Sequence, residues 1–254
     1  MNSESMDTWK YLGKNDPYFG VLSDEKYRMG KLSEDRLSEF FDTGKVFVEQ
    51  TRKRVWDLFG TEISNLSVLD FGCGVGRLAI PFAGFSDKEV LGIDISEEII
   101  QRAITHQQTY NQKNLSFQTY DGENLNQIGN FDFINSYIVF QHIEPRKGMM
   151  LLRQLLDHLN WGGILQVQLT HGQRLPLPTY LNFYLRTKFR PYNFIYSSLK
   201  NRKLGAEPTM QMNHYSPKKL FGLFSEFSNQ VHVEFTDHGG HLGAFYLLKK
   251  ARQN

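Results

Sequence analysis

Three carboxylates recur at intervals that suit a ligand-binding sheet edge. Asp70 stands two residues before the first of three alternating glycines, Gly72, Gly74 and Gly76, in VLDFGCGVGR. Asp94 follows 22 residues after Gly72, in GIDIS, and Asp121 precedes Gly122 in YDGENL. Bare backbone lets a ligand approach the main chain closely, and a helix opening just after it offers unpaired N–H donors. The spacing is GxGxG, with Arg77 where a dinucleotide fingerprint would have its third glycine. Asp70 would also set a negative charge beside a pyrophosphate, so a ligand with a positive charge suits the loop better. A carboxylate ending the second strand can accept both hydroxyls of a ribose. Ile95 beside it can cover one face of a purine, and Asp121 can accept a hydrogen bond from an adenine amino group. The set describes an adenosine joined to a cationic, amino-acid-like tail. Its expected contacts are Asp70, Gly72, Cys73, Gly74, Gly76, Arg77, Asp94, Ile95, Asp121 and Gly122.

The elements that must position these residues are readable from hydrophobic patterning. Apolar runs of strand length occur at residues 68–71, 90–95, 115–120, 131–139 and 164–170, with a further pair at 231–236 and 244–249. The early runs are apolar almost throughout, as expected when both faces of a parallel sheet are covered. Helical stretches separate them: residues 77–83, a helix capped by Ser96 with Glu97 and Glu98 in its first turn and running to about His106, and residues 146–159. The last stops at Asn160-Trp161-Gly162-Gly163, a helix-ending signal. A further helix, residues 46–59, precedes the first strand. The alternation predicts an α/β, Rossmann-like, doubly wound seven-stranded sheet. Only seven residues, 237–243, join the last two strands, too few for a parallel crossover. They should close the mostly parallel sheet as an antiparallel C-terminal hairpin.

LDFGCGVGR, GIDIS, YDGENL and FDFINSYIVFQHI, in that order, resemble the class I S-adenosylmethionine-dependent methyltransferases over about residues 67–170. The closing VHVEF and GAFYLLKK are similar to that family's sheet edge. The resemblance implies S-adenosylmethionine as cofactor. It assigns the methionine part to Asp70 and the glycines, the ribose to Asp94 and the adenine amine to Asp121. It puts Asn135 and Gln141-His142 at the methyl-donating end. Methyl transfer from a sulfonium needs alignment, plus a base when the nucleophile is a hydroxyl. His142 and His171, after the fourth and fifth strands, are the base candidates, with Glu144 a weaker one. Asp237, His238 and His241 have tolerable metal-ligand types, yet they fall on a hairpin turn where polar residues are the default, so no metal is expected.

Between the fifth strand and the hairpin the chain carries a long insertion, about residues 172–215, rich in aromatics. From His171 to Lys219 there are nine Lys or Arg against one acid, Glu207. Long insertions at the functional end of a sheet are lids or binding loops, so a helical cap that selects the acceptor is expected. Residues 1–45 form a leader, with Tyr18 and Phe19 as candidates to close over the cofactor, and residues 46–254 the methyltransferase domain. NDPYFGVLSDEKY and EFFDTGKVFV resemble a leader of bacterial methyltransferases acting on polysaccharides and natural products. The expected reaction is methylation, at oxygen, of a small-molecule or glycan-type acceptor, and an anionic one would suit the basic insertion. An RNA-binding methyltransferase or RNA-binding protein is the alternative; because the positive charge is confined to one insertion in a chain otherwise near neutral, nucleic acid is not the expected partner. No run approaches 18 apolar residues, the N-terminus lacks a secretion signal, and the single Cys73 fits a reducing, cytoplasmic setting. No motif speaks to the oligomeric state.

Overall fold

The computed structural model describes residues 3–201 and 204–251; Met1, Asn2, residues 252–254 and two members of the basic excess, Arg202 and Lys203, lie outside it. Seven strands form one sheet: β1 Val68–Phe71, β2 Val90–Asp94, β3 Leu115–Thr119, β4 Phe131–Ser136, β5 Leu159–Gln173, β6 Val231–His238 and β7 His241–Lys249. Their order is β3-β2-β1-β4-β5-β7-β6. β1 to β5 run parallel, and β7 lies antiparallel between β5 and β6. The chain reverses its winding between β1 and β4, which is where an open α/β sheet leaves a crevice at its carboxyl edge.

The helices are α1 Ser3–Asn15, α2 Pro17–Val21, α3 Glu34–Phe59, α4 Ala79–Phe85, α5 Glu97–Tyr110, α6 Pro145–Asp157, α7 Leu177–Lys188, α8 Arg190–Asn201 and α9 Pro217–Phe224. Their caps follow from local chemistry. Ser33 and Ser96 accept the Arg36 and Ile99 backbone N–H groups at the starts of α3 and α5, each followed by two acids that suit the helix dipole. Gly60 ends α3 in the left-handed region. α3 begins twelve residues before the expected residue 46, so the division expected at residue 45 falls inside one continuous helix.

Two apolar cores sandwich the sheet. One packs α6 and α9 with Phe71, Ile134, Leu165 and the fully buried Tyr215; the other packs α3, α4, α5 and the leader's Tyr18 and Tyr27. α6 stops at Asp157, before the expected Asn160 signal. Its last carbonyls, Leu156 and Asp157, and that of Leu159 are taken by the buried Lys250 Nζ at 2.7, 3.2 and 2.7 Å. Asn160 instead binds Asp132 at 2.8 Å, and Gly162 and Gly163 pair with Lys250, so this stretch opens β5. The insertion supplies α7, α8 and an extended return pinned by Asn213 on the Gln141 carbonyl and Tyr215 on that of Thr170.

Candidate active site

β1 is buried at every position and delivers Asp70 to the crevice, in register with Gly92 of β2 and Asn135 of β4. Asn135 Nδ2 donates to Asp70 Oδ1 at 2.8 Å, and Asn135 is held in turn by Gln166 Nε2 at 3.0 Å. The other oxygen, Oδ2, is buried without a hydrogen-bond partner. Burial pushes the Asp70 carboxyl up to about 6, against the pull of Asn135 and Arg77. The loop after it runs through Gly72 and Gly74 at φ +75° and +55°. A Cβ on Gly72 would collide with Val139, and one on Gly74 with Val21 of the leader. The glycines are therefore demanded both by backbone conformation and by close approach.

Asp94 ends β2 and accepts the Gly74 N–H on Oδ2 and the Ser96 N–H on Oδ1, each at 3.1 Å. Its carboxyl is raised by burial, with those backbone donors opposing. Asp70, Gly72, Cys73, Gly74, Arg77, Asp94 and Ile95 share one cavity of about 760 Å³. Tyr120, Tyr137, Ile138, Val139 and His142 form its far wall, and Trp9, Gly20 and Val21 of the leader its roof. Arg77 is buried; Nη1 donates to Thr43 at 3.2 Å, while Nε has no partner. Asp70 and Arg77 thus offer an unsatisfied acceptor and an unsatisfied donor of opposite charge in one cavity. That is the complement of an α-ammonium and an α-carboxylate on one amino-acid tail, so these residues fit the methionine part of S-adenosylmethionine. Cys73 is a small lining residue whose thiol burial pushes well above its ordinary value, which disfavours a nucleophilic thiolate.

Other expected site residues stand elsewhere. Asp121 is exposed and does not line the cavity: its carboxylate accepts the Glu123 and Asn124 N–H groups at 2.7 Å each, which holds it below the ordinary carboxylate range. Gly122 packs behind Ile95, where a Cβ would stand 2.7 Å from Ile95 Cδ1. Gly76 and Asn135 sit behind the cavity wall, Asn135 orienting Asp70. His171 is braced at both ring nitrogens, Nδ1 2.7 Å from the Tyr215 carbonyl and Nε2 2.8 Å from the Tyr246 hydroxyl, and does not reach the cavity. Tyr18 turns inward, its hydroxyl 2.8 Å from His106, and Phe19 lies under the Arg28 guanidinium. The leader residues over the cavity are Trp9, Gly20 and Val21, which no spacing rule singles out. Ile138, at φ +59°, is a strained β-branched residue beside the site with no sequence signature.

His142 separates this cavity from a second of about 1220 Å³. The Gln211 carbonyl lies 2.8 Å from Nδ1 and can only accept, so Nδ1 carries the proton. Nε2 then accepts from Gln141 Nε2 at 3.2 Å. Burial pushes the imidazole down to about 4, which keeps it neutral. The second cavity is lined by Phe183, Arg186 and Lys200 of the first part of the insertion, by Glu207, Pro208, Thr209, Met210 and Met212 of its return and by His238 and His241 of the hairpin. Nε2 of His238 and Nδ1 of His241 are buried without a hydrogen-bond partner. Among the described residues no three His, Cys, Asp or Glu side chains converge on a metal-holding geometry.

Residues 68–163 match the family described as a methyltransferase domain. The mitochondrial ubiquinone biosynthesis O-methyltransferase of Dictyostelium discoideum is 25% identical over 169 residues, 63% of this chain and 46% of that protein. The probable S-adenosyl-L-methionine-dependent methyltransferase TehB of Haemophilus influenzae is 28% identical over 141 residues, 52% of this chain and 48% of that protein. The chain thus spans about half the length of these curated relatives. In fold it resembles the magnesium protoporphyrin IX methyltransferase of Synechocystis PCC 6803 solved with bound SAM: TM-score 0.62 and 16% identity over 99% of each chain.

Proposed function

We propose that this chain, which carries a class I S-adenosylmethionine-dependent methyltransferase domain and takes S-adenosylmethionine as its cofactor, methylates an oxygen of a small-molecule or glycan-type acceptor. The observation that carries this reading is the pair of cavities that meet at His142, one with the unsatisfied Asp70 and Arg77 groups, the other walled by the insertion. S-adenosylmethionine supplies an electrophilic methyl on a sulfonium. Asp70 Oδ2 would accept from the methionine ammonium, and Arg77 Nε would donate to its carboxylate. Asp94 would turn to the ribose hydroxyls, with Ile95 against the adenine.

On the acceptor side, His142 is neutral, and its Nε2, which accepts from Gln141 here, would exchange that amide for an acceptor hydroxyl and take its proton as the methyl arrives. The unsatisfied nitrogens of His238 and His241 are natural partners for further acceptor hydroxyls. Arg186 makes no ion pair among the described residues; its Nε donates to Asn193 at 3.1 Å, and it favours an anionic group on the acceptor. The D. discoideum relative, an O-methyltransferase by name, supports oxygen as the target.

The test is a screen of hydroxyl-bearing small molecules and glycans, with and without a carboxylate or phosphate, read by S-adenosylhomocysteine release and product mass. We expect an O-methylated product. Substituting His142→Ala should lower kcat about 10²-fold or more while leaving S-adenosylmethionine affinity within a few-fold. Methylation at nitrogen alone, or of RNA alone, overturns the reading.

A further inference from the structure

The insertion has two faces, and only one is accounted for. Its inner face is pinned by polar contacts: Arg186 Nε on Asn193 Oδ1 at 3.1 Å, Tyr192 on Asn182 at 3.0 Å, and Asn193 Nδ2 on the Glu207 carbonyl at 2.9 Å. That face also contributes Phe183, Arg186 and Lys200 to the second cavity.

The outer face is apolar and uncovered. α7 buries no residue. Its Leu177, Tyr180, Leu181 and Tyr184 fall at i, i+3, i+4 and i+7, one stripe of a helix, and all four are exposed, Leu177 to 76%. α8 continues the pattern with Phe194, Ile195 and Leu199, the last also 76% exposed, and Phe189 at the joint between the helices is exposed too. Within the insertion's own sequence up to Glu207 the charge has one sign. No acid occurs between Asp157 and Glu207, while the exposed Arg174, Lys188 and Arg190 fall in that interval beside the cavity-lining Arg186 and Lys200. Lys200 is tied to a leader acid, Glu25, at 3.1 Å.

An apolar stripe bordered by positive charge and lacking acids is the pattern of a helix pair that lies in the plane of a membrane surface. A second copy would bring two positive faces together. Single-stranded RNA would need aromatic planes, whereas the most exposed members here are leucines and an isoleucine. We propose that the outer face of α7 and α8 is a peripheral membrane contact that seats on anionic lipid, its leucines and tyrosines entering the headgroup boundary and its arginines and lysines pairing with the headgroups. Among the described residues no helix is long and apolar enough to cross a membrane, so the contact is interfacial. It stands independently of which acceptor the enzyme methylates.

The experiment is co-sedimentation of the full chain with vesicles of phosphatidylglycerol and phosphatidylcholine, and with phosphatidylcholine alone, at low and high salt. The double variant Leu181→Glu/Leu199→Glu tests the stripe; S-adenosylmethionine affinity and Tm check that the variant is folded. The protein should sediment with the anionic vesicles at low salt, release as salt rises and bind neutral vesicles at least tenfold more weakly. The double variant should lose at least tenfold with cofactor affinity unchanged. Failure to sediment with anionic vesicles, or equal binding by a folded double variant, overturns the proposal. So does a homodimer that the same two substitutions split, or single-stranded RNA bound in place of vesicles.

Discussion

At the scale of single residues, the pattern around the glycine loop was readable because it is local. Asp70, Asp94 and Ile95 end strands that are unmistakably apolar, and Gly72, Cys73, Gly74 and Arg77 follow in the next few positions, so all of them line the cavity. Asp121 stands outside the cavity for a physical reason: an acid after a strand can satisfy its own loop's N–H groups as readily as a ligand's. The place of His171 was not legible because its partners, Tyr215 and Tyr246, arrive from remote sequence. Asp70 also yields a pH prediction. Its carboxyl lies at about 6 in the folded protein, and the methionine ammonium we propose as its partner would need it ionised. Cofactor affinity should therefore fall as pH drops through 6, by about tenfold between pH 7.5 and pH 5, and the dependence should vanish in Asp70→Asn. Equal wild-type affinity at both pH values in a titration contradicts this role. Because the folded value is raised, this group's contribution to stability is complete below the unfolded carboxyl's ordinary value and is lost as pH rises through about 6. Asp70→Asn should accordingly leave the Tm of the free protein at pH 7.5 equal or higher while weakening the cofactor.

At the scale of elements, the order of the strands and the early start of β5 at Leu159 were not legible, while the existence of seven strands and of the final hairpin followed from apolar patterning and connection length. The start of α3 did not, because Gly44 interrupts the helical pattern of EFFDTGKVFV. In the structure Gly44 is a contact: a Cβ there would strike the Arg77 carbonyl, so α3 packs backbone to backbone against the glycine loop. Gly44→Ala should cost about 1–3 kcal/mol of stability, because backbone cannot yield as a side chain can. It should also weaken cofactor binding by shifting Arg77. Gly222→Ala in α9, where a Cβ meets open space, should be neutral or stabilising by up to about 1 kcal/mol. Thermal unfolding of the two variants side by side separates a packing glycine from a merely tolerated one.

At the scale of the whole molecule, leader, core and insertion close on one another around the site, and this was the least legible level. Arg28 of the leader bonds Asp16 at 2.9 Å and Glu207, beyond the insertion helices, at 2.7 Å, all three side chains largely out of solvent. Nothing in their spacing announces that junction, because it forms only when distant segments fold together. Arg28→Met removes these two ion pairs and a third, to the more exposed Glu25 at 3.2 Å, and should lower stability by about 2–4 kcal/mol, somewhat under the full cost of breaking a buried pair. It should also loosen the roof that Trp9 and Val21 make, raising the cofactor Kd. A variant with wild-type Tm and wild-type cofactor affinity would show that the leader is fixed by other contacts.

The most direct test of the account is a calorimetric titration of S-adenosylmethionine into the wild-type protein and into Asp94→Ala, with NAD as a control ligand. S-adenosylmethionine should bind the wild-type protein at micromolar strength and NAD not at all, with a loss of about 2–4 kcal/mol in the variant as two charge-assisted hydrogen bonds disappear. Wild-type protein that binds NAD instead, or an Asp94→Ala variant that binds S-adenosylmethionine unchanged, would contradict it.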